Sequence, residues 1–254
     1  MEKDTIKKLV IAKYGEIANE GSSSCCSSWC CNGMSENYSS LDGYNPDADM
    51  GLGCGLPTEY SKIKTGDCVL DLGSGAGNDC FVARGMVGEG GRIIGIDTTP
   101  SMVEKAKLNA AKRGYSNVEF ILGDIEDIPL PEAIADVVIS NCVLNLLPQK
   151  DKIFIEIFRV LKPGGHFSIS DVVTEGKLPQ EFQESDELYA GCIAGAIEKS
   201  DYLSYICKAG FVDVKVMKEK EILLDEELML KLRDKRNFKI ISITINGNKN
   251  NSNF

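Results

Sequence analysis

From Gly66 onward the chain alternates short β-prone apolar runs with segments of helical periodicity, a pattern that restricts it to a parallel sheet wound by helices. The runs are DCVLDLG, GRIIGID, NVEFILG, DVVISN and HFSISDV. Between them lie a helix from about Asn78, one from Ser101 to Arg113 and one from Lys150 to Leu161, with KPGG as the turn into the fifth strand. Strands buried on both faces read as near-continuous apolar runs, as these do, because crossover helices cover both sides. After this core, Pro179 to Ile197 and Asp201 to Lys208 read as helices, FVDVKVMKEKEI as a strand and FKIISITING as a last strand. A chain of 254 residues, 43% apolar, suits one elaborated α/β domain. The expected parts are an N-terminal helix and Cys-rich lid over 1–65, a core over 66–172, a helical insertion and closing strands over 173–247, and a fraying tail over 248–254.

Upstream of the core, Ile6, Leu9, Val10, Tyr14 and Ile17 recur at helical spacing, which predicts an amphipathic helix. From Gly21 to Gly55 the chain is rich in Ser, Gly, Asn, Asp and Cys without apolar periodicity, the mark of an irregular lid. The opening MEKDTIKKLV carries charge where a secretion signal is apolar, and no run approaches the roughly 18 apolar residues of a membrane span. A cytoplasmic protein with no membrane partner is expected. The formal charge of −10 disfavours nucleic acid, whose backbone is neutralised by Lys and Arg. Ten cysteines are a surplus for that compartment, where structural disulfides are opposed, so metal or redox chemistry is the better explanation. With a single histidine, His166, a thiol-rich site points to a soft ion.

The peptide DLGSGAGND joins the first strand to the first helix, with Asp71 followed by Gly73, Gly75 and Gly77. Glycines there let the backbone approach a ligand. Asp97 ends the second strand, 20 residues after Gly77, where a carboxylate can accept from both hydroxyls of a ribose. Asp124 follows the third strand in GDIED, at the same carboxyl edge. A ligand-free tight turn is the alternative for the glycines alone, and nicotinamide binding is disfavoured because G-x-G-x-G departs from G-x-G-x-x-G.

Together with the KPGG turn, these residues resemble the class I S-adenosylmethionine-dependent methyltransferases over 66–172. The resemblance implies a doubly wound, Rossmann-like sheet of seven strands with the last one antiparallel. It also implies S-adenosylmethionine as cofactor, held around Asp71, Gly73, Gly75, Gly77, Asp97, Thr98, Met102, Asp124, Ile125 and Asn141. At the end of strand four, where amine-methylating relatives often carry Asn or Asp before Pro-Pro and an aromatic, this chain reads SNCVLNL and places Cys142. Cys54 in GLGCGLP and Cys192 in AGCIAGA stand out beside it. These peptides, with AKYGEIA and VLDLGSGAGND, closely resemble the arsenite methyltransferases over nearly the whole chain. What that resemblance implies is As(III) bound by Cys54, Cys142 and Cys192, with a fourth N-terminal cysteine, taken as Cys26 among Cys25, Cys26, Cys30 and Cys31, in a thiol relay. It further implies a small inorganic metalloid as substrate and thioredoxin or glutathione as reductant. A monomer is expected.

The chemistry supports that implication independently of the name. As(III) is soft, prefers sulfur to oxygen, and with three sulfur ligands keeps a lone pair at the apex of a pyramid. Other residues have plainer readings. Cys68, Cys80 and Cys207 are expected to be packing residues. The Cys25, Cys26, Cys30, Cys31 cluster lacks the spacing of a zinc site, and Trp29 either anchors that loop or shields a metalloid. His166 reads as structural, and Asp171 either orients a ligand or caps a loop. Two rival functions stand beside arsenite methylation: a methyltransferase for a small organic acceptor, and a soft-metalloid sensor without turnover.

Overall fold

Val and Ile dominate the apolar runs because β-branched side chains pack well on a pleated surface covered from both sides. Seven segments pair into one sheet in the computed structural model, which describes residues 3–20, 35–183, 192–223 and 237–251. They are β1 (Cys68–Leu72), β2 (Arg92–Asp97), β3 (Val118–Leu122), β4 (Ala135–Asn141), β5 (Leu161–Glu175), β6 (Val212–Glu221) and β7 (Lys239–Asn248). Their order is β3-β2-β1-β4-β5-β7-β6, and β7 runs antiparallel to both of its neighbours, as expected. The path turns back between β1 and β4, so a crevice opens outside the carboxyl ends of these two strands.

The helices are α1 (Lys3–Glu20), α2 (Pro57–Tyr60), α3 (Asn78–Val87), α4 (Pro100–Lys112), α5 (Lys150–Val160), α6 (Gln180–Gln183) and α7 (Lys199–Lys208), with a 3₁₀ turn over Leu144–Leu146. On one face of the sheet, Phe81, Met102 and Val103 pack on Val69, Ile93 and Phe120. On the other, Phe154, Ile157 and Tyr202 pack on Leu70, Leu72 and Phe167. A third cluster caps the carboxyl edge and joins Ile6 and Val10 of α1 to Leu146, Val172, Cys54, Cys142 and Cys192. Among the described residues no helix is long and apolar enough to cross a membrane.

Four local expectations need correction. KPGG is no simple turn: β5 already starts at Leu161, and the pairing jumps from Ala135↔Leu161 to Val137↔His166, a bulge with Gly164 at φ +78°. The start of the tail is anchored, since Asn248 pairs with His166 and Val212, and the Lys249 ammonium donates to Phe158 O at 2.6 Å and Leu161 O at 2.7 Å. Cys207 is exposed, so packing does not explain it. Of the predicted helix over Pro179–Ile197, residues 180–183 are helical, Ala194 and Ala196 are buried outside any helix, and 184–191 lie outside the described residues.

Candidate active site

At the switch point the carboxyl ends of β1, β2 and β4 wall an open cavity of about 1070 Å³, counted to its mouth. Asp71, Gly73, Gly75, Asp97, Thr98, Asp124, Ile125, Asn141 and Cys142 all line it. Gly77 and Met102 do not. Gly77 faces the rings of Phe81 and Phe120 at the start of α3, and Met102 is fully buried in the core. The β1–α3 turn is built by its own backbone, with Gly73 N and Ser74 N both donating to Ile96 O, at 2.8 and 2.9 Å. Gly73 has φ +71°, and a Cβ there would lie 2.3 Å from a Val143 methyl, so glycine is required. Asp97 accepts from Gly75 N at 2.9 Å and Thr99 N at 2.8 Å, which ties β2 to the turn. Burial pushes the Asp97 carboxyl up despite these bonds. Burial first, then the charge of Asp79, pushes Asp71 up, while the Cys80 thiol donates to it at 3.2 Å.

Beside this cavity the structure brings together Cys54, Cys142 and Cys192, which sequence separates by 88 and 50 positions. All three are buried. The Cys192 thiol donates to Cys142 O at 2.9 Å, and the Cys142 thiol hydrogen-bonds with the thiols of both Cys192 and Cys54. Those two contacts, then burial, hold the Cys142 thiol well above its ordinary range, and burial pushes Cys54 up. Cys142 and Cys192 have φ of +60° and +62°, a left-handed conformation that L-residues adopt at a cost and that clusters at functional sites. Among the described residues no group of three His, Cys, Asp or Glu side chains is already set as a metal cage. Cys26, with Cys25, Cys30, Cys31 and Trp29, lies outside the described residues. Cys80 is buried as expected, Cys68 is half-buried against the core, and His166 contacts Ser61 O through Nε2, a structural place.

Asp171 does not line the cavity, and instead of capping the loop after β5 it takes the backbone N–H of Asn145 in the turn after β4. It is buried one layer behind the thiols, accepting from Val172 N at 2.9 Å and Tyr202 OH at 3.1 Å. Burial pushes its carboxyl from an ordinary 3.8 to about 7. The folded chain therefore binds this proton more tightly than the unfolded chain. The stability it contributes is full below about pH 4 and is lost as pH rises through about 7, a span worth up to about 4 kcal/mol. Asp171→Asn should remove that slope: the wild-type minus variant difference in urea midpoint should fall from pH 5 to about pH 7 and level off above it. A pH-independent difference would show that Asp171 does not titrate in this range.

Sequence reasoning missed several wall residues. Lys7 of α1 pairs with Asp124 at 2.5 Å and with Glu126, pinning the helix across the cavity edge. Tyr14 of α1 lines the cavity and hydrogen-bonds the Cys192 thiol. Tyr38, buried at the end of the lid, donates to Asp79, whose two carboxylate oxygens each lie 3.0 Å from its hydroxyl. Asn141, expected only to touch cofactor, also receives the amide of Cys54 on Oδ1 at 3.0 Å. The phase of Tyr14 within the AKYGEIA helix was a usable signal; Tyr38 had none.

This sheet order, with β7 antiparallel and an acidic glycine-rich turn at the switch point, defines the class I methyltransferase fold. Residues 63–210 match the methyltransferase domain family. The chain is 40% identical over 233 residues to the arsenite methyltransferase of Halobacterium salinarum, covering 85% of this chain and 59% of that protein. It is 39% identical over 170 residues to the Homo sapiens arsenite methyltransferase, covering 63% of this chain and 44% of that one. The crystal structure of an arsenic(III) S-adenosylmethionine methyltransferase from Chlamydomonas reinhardtii superposes with a TM-score of 0.71 at 38% identity, covering 80% of this chain and 69% of that chain. The chain belongs to the arsenite methyltransferase family. It spans 59% of the length of the Halobacterium relative and 44% of the human one.

Proposed function

We propose that this chain catalyses S-adenosylmethionine-dependent methylation of trivalent arsenic, with the metalloid held by Cys54, Cys142 and Cys192. The observation that carries the reading is the convergence of three buried cysteines, two in left-handed backbone, at the end of β4 where Cys142 opens onto the cavity. Packing alone gives no reason for that strain.

The cavity suits the donor. Ser74 Oγ and Asn78 Oδ1 are buried on its wall without a hydrogen-bond partner among the described residues, and a Cβ at Gly75 would stand in open space. The Asp97 carboxylate, held by the Gly75 and Thr99 amides, stands on the cavity wall where a ribose would lie. Asp97 would hold the ribose, Asp124 and Ile125 would lie at the adenine, and the Gly73–Gly75 turn would approach the remainder. When bound, S-adenosylmethionine supplies a methyl group activated by its sulfonium.

Capture is the work of this chain's thiols. Cys54 and Cys142 are both held above the ordinary thiol range, so they meet arsenous acid as thiols. Three S–H groups and three As–OH groups give three As–S bonds and three waters, with no net proton released. The apolar side chains of Leu146 and Ile193, in the same buried cluster, keep water from the centre. The arsenic lone pair is the nucleophile, so no general base is needed. Methylation formally raises arsenic from As(III) to As(V). Two protein thiols return two electrons to it and become a disulfide, which thioredoxin or glutathione then reduces.

The test is incubation of the purified chain with arsenite, S-adenosylmethionine and glutathione or a thioredoxin system, followed by chromatographic arsenic speciation. Methylarsenicals are expected. Arsenite bound stoichiometrically without a methylated product, or arsenite-insensitive methylation of an organic acceptor, would replace this reading by one of its rivals.

A further inference from the structure

Cys54 lies outside the sheet, on the turn before α2, so something must fix it against the strand end that carries Cys142. That work falls to three polar side chains from three elements. Asn141 at the end of β4 accepts from Cys54 N on Oδ1 at 3.0 Å and donates through Nδ2 to Gly55 O at 2.9 Å, Tyr38 OH at 2.6 Å and Asp79 Oδ2 at 3.1 Å. Tyr38 OH stands 3.2 Å from Gly55 O and 3.0 Å from Asp79. The turn also fits tightly on the amide, since a Cβ at Gly53 would lie 2.7 Å from Asn141 Nδ2.

The donor count shows that this network is a unit. Asn141 brings two N–H hydrogens and Tyr38 one O–H, against Gly55 O, the Tyr38 oxygen and an ionised Asp79 as acceptors. Three hydrogens are shared over more contacts than they can fill at once, so losing one member redistributes the bonds among the rest. Tyr38, Asp79 and Asn141 also line the cavity in which the methyl donor would bind, while the backbone they hold belongs to a thiol of the neighbouring pocket. A ligand that contacts these side chains therefore changes the stability of the Cys54 turn. By linkage, a metalloid that orders the turn changes the cavity by the same factor.

We propose that Tyr38 is a positioning residue which, through Asp79 and Asn141, fixes the Cys54 turn and makes capture of a trivalent arsenical depend on the occupant of the adjoining cavity. This rests on reading the three cysteines as an As(III) site. It assigns a role to the described end of the lid that none of the cysteine chemistry requires.

The test is calorimetric titration of the full chain with arsenite, alone and with saturating S-adenosylhomocysteine, and the reverse titration. In the wild type each ligand should tighten the other by the same factor, about tenfold, within the ordinary range of coupling between sites. Tyr38→Phe keeps the ring and removes the hydroxyl. Whatever the change in each ligand's own affinity, the coupling factor should fall below about two. Asn141→Asp, which keeps the acceptor for Cys54 N and loses the donors, should give the same loss and guards against a peculiarity of one variant. A merely structural Tyr38 would lower the melting temperature and leave the coupling intact. Independent binding in the wild type, or undiminished coupling in Tyr38→Phe, would overturn the proposal. A wild type that binds S-adenosylhomocysteine but no arsenite would remove the As(III) site itself and this inference with it.

Discussion

Cys142→Ser should lower the rate of arsenite methylation at least about a hundredfold while leaving S-adenosylhomocysteine affinity within about twofold of wild type. Cys142 is the one of the three clustered cysteines that lines the cavity, and its thiol hydrogen-bonds with both of the others. Serine keeps the size and a hydrogen bond but offers a hard oxygen, which competes poorly for a soft metalloid against water. Losing one sulfur of three also frees the arsenic to turn its lone pair away from the methyl donor, a loss of orientation as well as affinity. Cys192→Ser should behave alike. Cys207→Ser, at an exposed position away from the cluster, should retain wild-type turnover. Initial rates measured by arsenic speciation decide the matter, and wild-type turnover in Cys142→Ser would be fatal to thiol capture at this site.

The sheet was legible because its determinants are local. Apolar runs, helical periodicity and an acidic glycine turn each speak within a dozen residues, and the antiparallel β7 followed from the family resemblance. The extent of β5 was not legible, because the bulge that carries KPGG depends on pairing with β4 across the sheet. The same division holds in the site. Cys54, Cys142 and Cys192 stand out by their peptides, but the left-handed backbone of Cys142 and Cys192 is a property of the folded chain. Met102 and Gly77 belong to the expected cofactor segment, and the fold places one in the core and the other against two rings, which their local sequence does not reveal. Tyr38 sits in a stretch without periodicity, so no pattern could reveal that its hydroxyl meets Asp79 and Asn141, 41 and 103 positions away.

The cavity and the thiol pocket share a joint at Gly73, which yields the second large effect. Gly73→Ala should destabilise the chain by about 3 kcal/mol and reduce S-adenosylhomocysteine affinity by tenfold or more. Two penalties combine. The residue has φ +71°, which costs an L-residue about 1–2 kcal/mol. The new Cβ would also stand 2.3, 2.5 and 2.9 Å from the three side-chain carbons of Val143, so one of the two must move. Val143 follows Cys142 directly and packs against the core, so its displacement would drag the strained Cys142 backbone with it. Gly73→Ala combined with Val143→Ala separates the penalties. Shortening Val143 removes the clash with its methyls but not the left-handed strain, so the double variant should lose less stability than the sum of the two single variants and recover part of the ligand affinity. Urea midpoints and ligand titrations on the two single variants and the double variant provide the cycle. Strict additivity would mean that the turn and the Cys142 segment do not press on each other, and that donor cavity and thiol pocket are mechanically separate at this point.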